Sequence, residues 1–270
     1  MNPESEDLEI ITHWFVDYQM PDGAIKVRTH VLTDNKHASL EDFFVRAIPN
    51  CYIPTNVLKD RVNITRLSTS EILKNQLPDS GSVMAGDFGE ILTLFYLSGE
   101  RSEPIKQVKK WQFKEDRKKA APYSDVVILH KKYNDRASES DFVICAEAKL
   151  KSTKKPFCPI KESINGYDKD KIGRLTRTLL WLKEKAINHG TPESIDYIKR
   201  FTDDLLEIKF TKKYRAVAII DRNFLDSELQ KTLNLPIQSD EFEVIVIGIP
   251  DLKQLYERSF SRAISEITYD

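Results

Sequence analysis

The chain has 270 residues, 40% hydrophobic and 31% charged, with a formal net charge of -1. That is enough for one large domain or a core with an appended lobe, and the balance is that of a soluble globular protein. No apolar stretch approaches the ~20 residues of a membrane-spanning helix. The acidic start, Met1 to Asp7, lacks the basic and apolar regions of a secretory leader. The three cysteines, Cys51, Cys145 and Cys158, form neither a CxxC pair nor an even framework, so a reducing cytoplasm is the expected compartment. The small net charge hides a partition. Residues 104–185 carry 21 Lys and Arg against 11 Asp and Glu, while residues 1–103 carry 9 against 16.

In chain order, Ile10–Tyr18 and Ala24–Leu32 flank the turn signal Pro21-Asp22-Gly23, and Leu40–Ala47 has helical spacing. His13, His30 and His37 are too scattered to argue a metal site. Residues 1–80 read as an N-terminal α+β lobe, acidic, without evident chemistry and a candidate partner-docking surface, and Asp79–Ser82 as a boundary. Residues 81–270 then form the second domain. Phe88, Ile91, Leu92 and Phe95 form the buried stripe of a helix, and Glu90 lies in line with Leu94 and Leu97. A carboxylate on an apolar face needs a partner, because an unpaired buried charge is costly. A metal or a Lys would serve; a favourable position in the helix dipole is the plainer reading.

Val108–Phe113 is predicted as a strand, followed by the charged turn Glu115–Lys119. Asp125 opens the apolar run Val126–Leu129, and the run Phe142–Ala146 ends in Glu147-Ala148-Lys149. Side chains alternate along a strand, so Glu147 and Lys149 share a face while Ala148 points to the other layer. Paired as a hairpin, the two strands bring Asp125 beside Glu147. Ile172, Leu175, Leu179, Leu182 and Ala186 predict a long amphipathic helix with Lys169, Lys171, Arg174 and Arg177 near its start. Tyr214–Ile220 and Phe242–Ile249 read as buried strands, and Leu252, Leu255, Tyr256 and Ala263 as a closing helix. The order implies an α/β sandwich with a mixed sheet.

Two carboxylates and an ammonium in one pocket, without His or Cys, suit a hard cation such as Mg2+ or Mn2+ and phosphodiester hydrolysis. The plainer alternative is a structural Glu147–Lys149 ion pair. In the hydrolytic reading Asp125 and Glu147 hold the ion, the Ala148 carbonyl is a third oxygen, and Glu90 ligates the metal or orients water. Lys149 offsets charge on the phosphoryl group. Lys109, Lys110, Lys118, Lys119, Lys154 and Lys155 would grip phosphates, adding affinity without sequence specificity.

This acid–acid–x–Lys order over residues 86–221 resembles the PD-(D/E)xK nuclease superfamily, with Tyr123-Ser124 standing directly before Asp125 where that pattern nominally has Pro. Gly86-Asp87-Phe88-Gly89-Glu90, Tyr123-Ser124-Asp125 and Cys145-Ala146-Glu147-Ala148-Lys149 resemble, more narrowly, the HamA nuclease-subunit family of Hachiman anti-phage defence. The resemblance implies a restriction-endonuclease-like mixed sheet flanked by helices, DNA as substrate, and a superfamily-2 helicase partner, HamB. A catalytically silent binding module on the same fold, a stand-alone restriction-type enzyme and an RNase are the competing readings.

Overall fold

A computed structural model describes residues 11–20, 27–190, 192–202, 208–232 and 235–267. Its strands are β1 (Phe15–Asp17), β2 (Arg28–Leu32), β3 (Lys106–Gln107), β4 (Val126–His130), β5 (Phe142–Lys151), β6 (Thr211–Asp221) and β7 (Phe242–Ile249). They form one sheet in the order β1-β2-β7-β6-β5-β4-β3. β5, β6, β7 and β2 run parallel, while β1, β4 and β3 add antiparallel edges. The mixed α/β sheet expected from the sequence is the architecture found. Among the described residues, no helix is long and apolar enough to cross a membrane.

One face of the sheet is covered by α1 (His37–Tyr52), α4 (Ser82–Gly99) and α9 (Leu252–Glu266), with α2 (Thr55–Thr65) and α3 (Thr69–Gln76) linking α1 to α4. The other face carries α5 (Pro159–Lys169), α6 (Leu175–His189), α7 (Pro192–Lys199) and α8 (Arg222–Gln230). Helix α4 is apolar nearly all round and is accordingly buried along most of its length. The strand alternation sorts the core: Val217 and Ile219 join the α4 side, while Ala216, Ala218 and Ile220 face α5 and α8.

Residues before 81 supply β1, β2 and α1–α3. β2 pairs with β7, and α1 packs on α9 within the core that also holds α4. The expected hairpin pairs Phe15 with Leu32; its turn, Pro21-Asp22-Gly23, lies outside the described residues. The Leu40–Ala47 helix extends to His37–Tyr52. His30 bonds Tyr96, and His37 lies 3.1 Å from the Pro250 carbonyl, so both serve packing. Cys145, within β5, is buried.

Two elements differ from the sequence expectation. Val108–Phe113 is not a strand: β3 ends at Gln107, and Lys110–Phe113 form a 3-10 turn. A strand would send Lys110 and Trp111 to opposite faces, whereas both side chains reach the buried Glu90, which only a tight turn allows. Ile172, placed by periodicity in the buried stripe, is 87% exposed. It sits in a widened turn, Asp170–Arg174, where Gly173 has φ +155° and breaks the helical phase between α5 and α6. Leu175, Leu179 and Leu182 beyond the break are buried as expected.

Candidate active site

The pairing of Val126 with Ala146 places Asp125, one residue before β4, opposite Glu147. Asp125 Oδ2 accepts the Ala148 N–H at 3.0 Å, which fixes its carboxylate over the end of β5. The Lys149 ammonium lies 2.5 Å from Glu147 Oε1, 3.4 Å from Asp125 Oδ2 and 3.3 Å from the Ala148 carbonyl oxygen. Three oxygens expected to serve a metal thus converge on one cation. Burial and Asp125 push the Glu147 carboxyl above its ordinary range, against the pull of Lys149 and Arg174. Burial alone would lower the Lys149 ammonium, but Asp125 and Glu147 outweigh it and hold the group protonated.

Arg174 completes the site and was legible only as part of a basic helix start. Its guanidinium donates to Glu147 Oε2, to both oxygens of Asp170 at 2.7 and 2.8 Å, and to the Gly166 carbonyl at 2.9 Å. Asp170 also accepts from Ser124 Oγ at 2.6 Å, which ties the peptide before Asp125 to the α5–α6 junction. The close approach of α5 depends on Gly166, because a Cβ there would fall inside the Glu147 carboxyl group. A further sequence signal was available in Gly166 and Gly173, two glycines bracketing a charged turn.

Glu90 comes from the other side of the sheet. Its Oε2 receives Trp111 Nε1 at 3.1 Å and lies 3.2 Å from the Lys110 ammonium, which also donates to the Ser124 carbonyl at 2.9 Å. Burial, opposed by Lys110 and reinforced by Asp125 and Asp87, raises the Glu90 carboxyl to about 8. One turn earlier, Asp87 is held by Lys114 at 2.7 Å and Tyr52 at 2.5 Å. Glu90, Asp125, Ala148 and Lys149 line a cleft of about 620 Å3, with Glu147 behind Lys149.

The HamA family profile matches residues 9–263, nearly the whole of this sequence. The chain belongs to the HamA family. Among curated proteins, none matches it.

In this HamA-family chain the candidate donor set is two carboxylates and a carbonyl, all oxygen. That suits Mg2+, which is commonly held by one or two carboxylates and completed by water and substrate phosphate. Among the described residues, no three His, Cys, Asp or Glu side chains cluster as a ready-made protein cage. Glu90 is already held by Lys110 and Trp111. The residues present therefore fit a cation that shares its coordination with substrate.

The six lysines expected at phosphates divide by position. Lys118, Lys119, Lys154 and Lys155 are exposed, and Lys155 lines the cleft. Lys109 is half-buried, and Lys110 is 3% exposed because Glu90 and the Ser124 carbonyl bind its ammonium inside the fold.

Proposed function

We propose that this HamA-family protein is a metal-dependent DNA nuclease that hydrolyses phosphodiester bonds with little sequence preference. Membership in the HamA family supports a place in the Hachiman anti-phage defence system, where a HamB-like helicase would release the activity. The observation that carries the nuclease reading is the convergence of Asp125, Glu147 and the Ala148 carbonyl on one cationic position at the cleft. The PD-(D/E)xK resemblance fits the same residues.

Asp125 and Glu147, with the Ala148 carbonyl, would hold Mg2+ or Mn2+, which supplies Lewis-acid polarisation and lowers the pKa of water. The chain's own groups do the rest. Arg174 ties up Glu147 Oε2 and leaves Oε1 facing Lys149. The Lys149 ammonium stands beside the scissile phosphate and offsets the charge that develops on its oxygens. Glu90, raised to about 8, can give or take a proton near neutral pH, with Lys110 and Trp111 fixing its position. The exposed Lys118, Lys119, Lys154 and Lys155 attract the backbone without reading bases.

Cleavage of plasmid DNA by the full chain with Mg2+ or Mn2+, alone and with its helicase partner, tests this assignment. Lys149→Ala lowers the rate about 100-fold or more, the usual cost of removing a charge-stabilising group, and Glu147→Ala, which removes a proposed metal ligand, lowers it at least as far. Retained cleavage in both variants overturns the active site. Absence of cleavage by the unaltered protein under every metal and partner condition favours the binding-module reading.

A further inference from the structure

Tyr123 directly precedes Ser124 and Asp125, and its backbone is in the left-handed region at φ +69°. Bulky residues rarely adopt that conformation, and it persists only where surrounding structure holds it. The holding contacts are visible: the Ser124 N–H donates to Thr178 Oγ1 on α6 at 3.2 Å, and Ser124 Oγ lies 2.8 Å from the same hydroxyl. The segment is thereby pinned against α6 while the Tyr123 side chain stays 42% exposed. Core packing does not account for an aromatic ring presented this way.

The ring lies against a second aromatic side chain. Trp181, three residues after Thr178, lies 5.9 Å from Tyr123 between ring centres, and Phe113 meets Trp181 edge-on at 5.7 Å. The Lys185 ammonium is 5.9 Å from the Trp181 ring centre, and Arg177 is exposed one turn before Trp181. Four-residue spacing puts Arg177, Trp181 and Lys185 along one side of α6. Beyond Phe113 and Lys185 opens a groove of about 300 Å3 that also includes Lys106 and Tyr197, with the Lys106 ammonium 4.8 Å from the Tyr197 ring centre.

Rings interleaved with cations, beginning at the peptide next to Asp125, match single-stranded nucleic acid. Its bases offer exposed faces for stacking and its phosphates seek the cations. A duplex keeps those faces covered by its own neighbours and would use the lysines alone. We propose that Tyr123 and Trp181 form a base-stacking platform that delivers single-stranded DNA to the cleft. The proposal rests on the nuclease reading and narrows it to the strand form of the substrate.

Binding is measured by fluorescence anisotropy in EDTA with the full chain, on a labelled oligothymidine strand, an abasic strand of equal length and a blunt duplex. The expected result is tighter binding to oligothymidine than to the other two. Tyr123→Ala weakens the oligothymidine complex about tenfold and leaves the abasic strand and the duplex unchanged, while Tyr123→Phe retains wild-type binding. Tyr123→Leu, which keeps bulk without a ring, carries the comparison if circular dichroism shows that the Ala variant has lost its fold. Oligothymidine affinity indifferent to Tyr123→Ala and Tyr123→Leu overturns the platform, as does an equal loss on the abasic strand. Because no cleavage is involved, the two readings fail separately. Ring-dependent binding without nuclease activity under every metal and partner condition sinks the nuclease and leaves the platform; cleavage with ring-independent binding does the reverse.

Discussion

Glu90 is where residue-scale electrostatics has the clearest consequence. Its carboxyl is buried and raised to about 8 from an ordinary 4.5, so between these values the folded protein keeps a proton that the unfolded chain has released. Stability therefore falls as pH rises through that window, is independent of this group below it, and levels off above it. The effect is on the order of a few kcal/mol. In EDTA, the melting temperature of the wild-type protein should drop between pH 5 and pH 8, and Glu90→Gln, neutral throughout, should flatten that slope. An unchanged slope in the variant would mean that Glu90 is charged when buried. Glu90 stood out in the sequence as an acid on an apolar stripe, but its partners Lys110 and Trp111 did not. They lie 20 and 21 residues further along the chain, and their segment has the composition of a strand.

At the scale of elements, the β4–β5 hairpin does what strand periodicity implies, setting Asp125 beside Glu147 and pointing Lys149 to the same face. The α5–α6 junction does what periodicity could not foretell. Gly173 interrupts the helical phase, turns Ile172 outward and Arg174 inward, and so brings a guanidinium to Glu147. Gly166 is the other half of this arrangement. Gly166→Ala should push α5 away from β5, costing about 1–3 kcal/mol by overpacking and uncoupling Arg174 from Glu147. Thermal melting read together with the cleavage assay checks this: stability and rate should fall together. A variant with wild-type melting and rate would show that the close approach is dispensable.

For the whole molecule, the acidic residues before 81 and the basic stretch 104–185 meet in one sheet, because β2 joins β7 on one side while β4 and β5 lie on the other. Partner docking by residues 1–80 remains a proposal, motivated by their acidity and lack of catalytic groups. Deleting them would remove β1, β2 and α1 from the shared core, so truncation would test stability before docking. Surface substitution is cleaner. Ile64 is 80% and Leu67 40% exposed around the end of α2. If a HamB-like helicase is the partner, as proposed, Ile64→Asp combined with Leu67→Asp should weaken co-purification with it at least tenfold while leaving the melting temperature within about 2 °C, since neither side chain is buried. Undiminished co-purification would move the docking surface elsewhere.

The chain by itself determined the mixed α/β sheet, the buried strands and the order in which Glu90, Asp125, Glu147 and Lys149 arrive, because alternation and helical spacing are local properties that burial enforces. Tertiary structure alone decided the second cation at Glu147 and the partner of Glu90. Arg174 reaches Glu147 across a break in helical phase, and Lys110 turns inward to Glu90 from a segment that reads as a strand. Such choices depend on the cost of leaving a buried charge unpaired, a cost set by what surrounds the group after folding rather than by its neighbours along the chain.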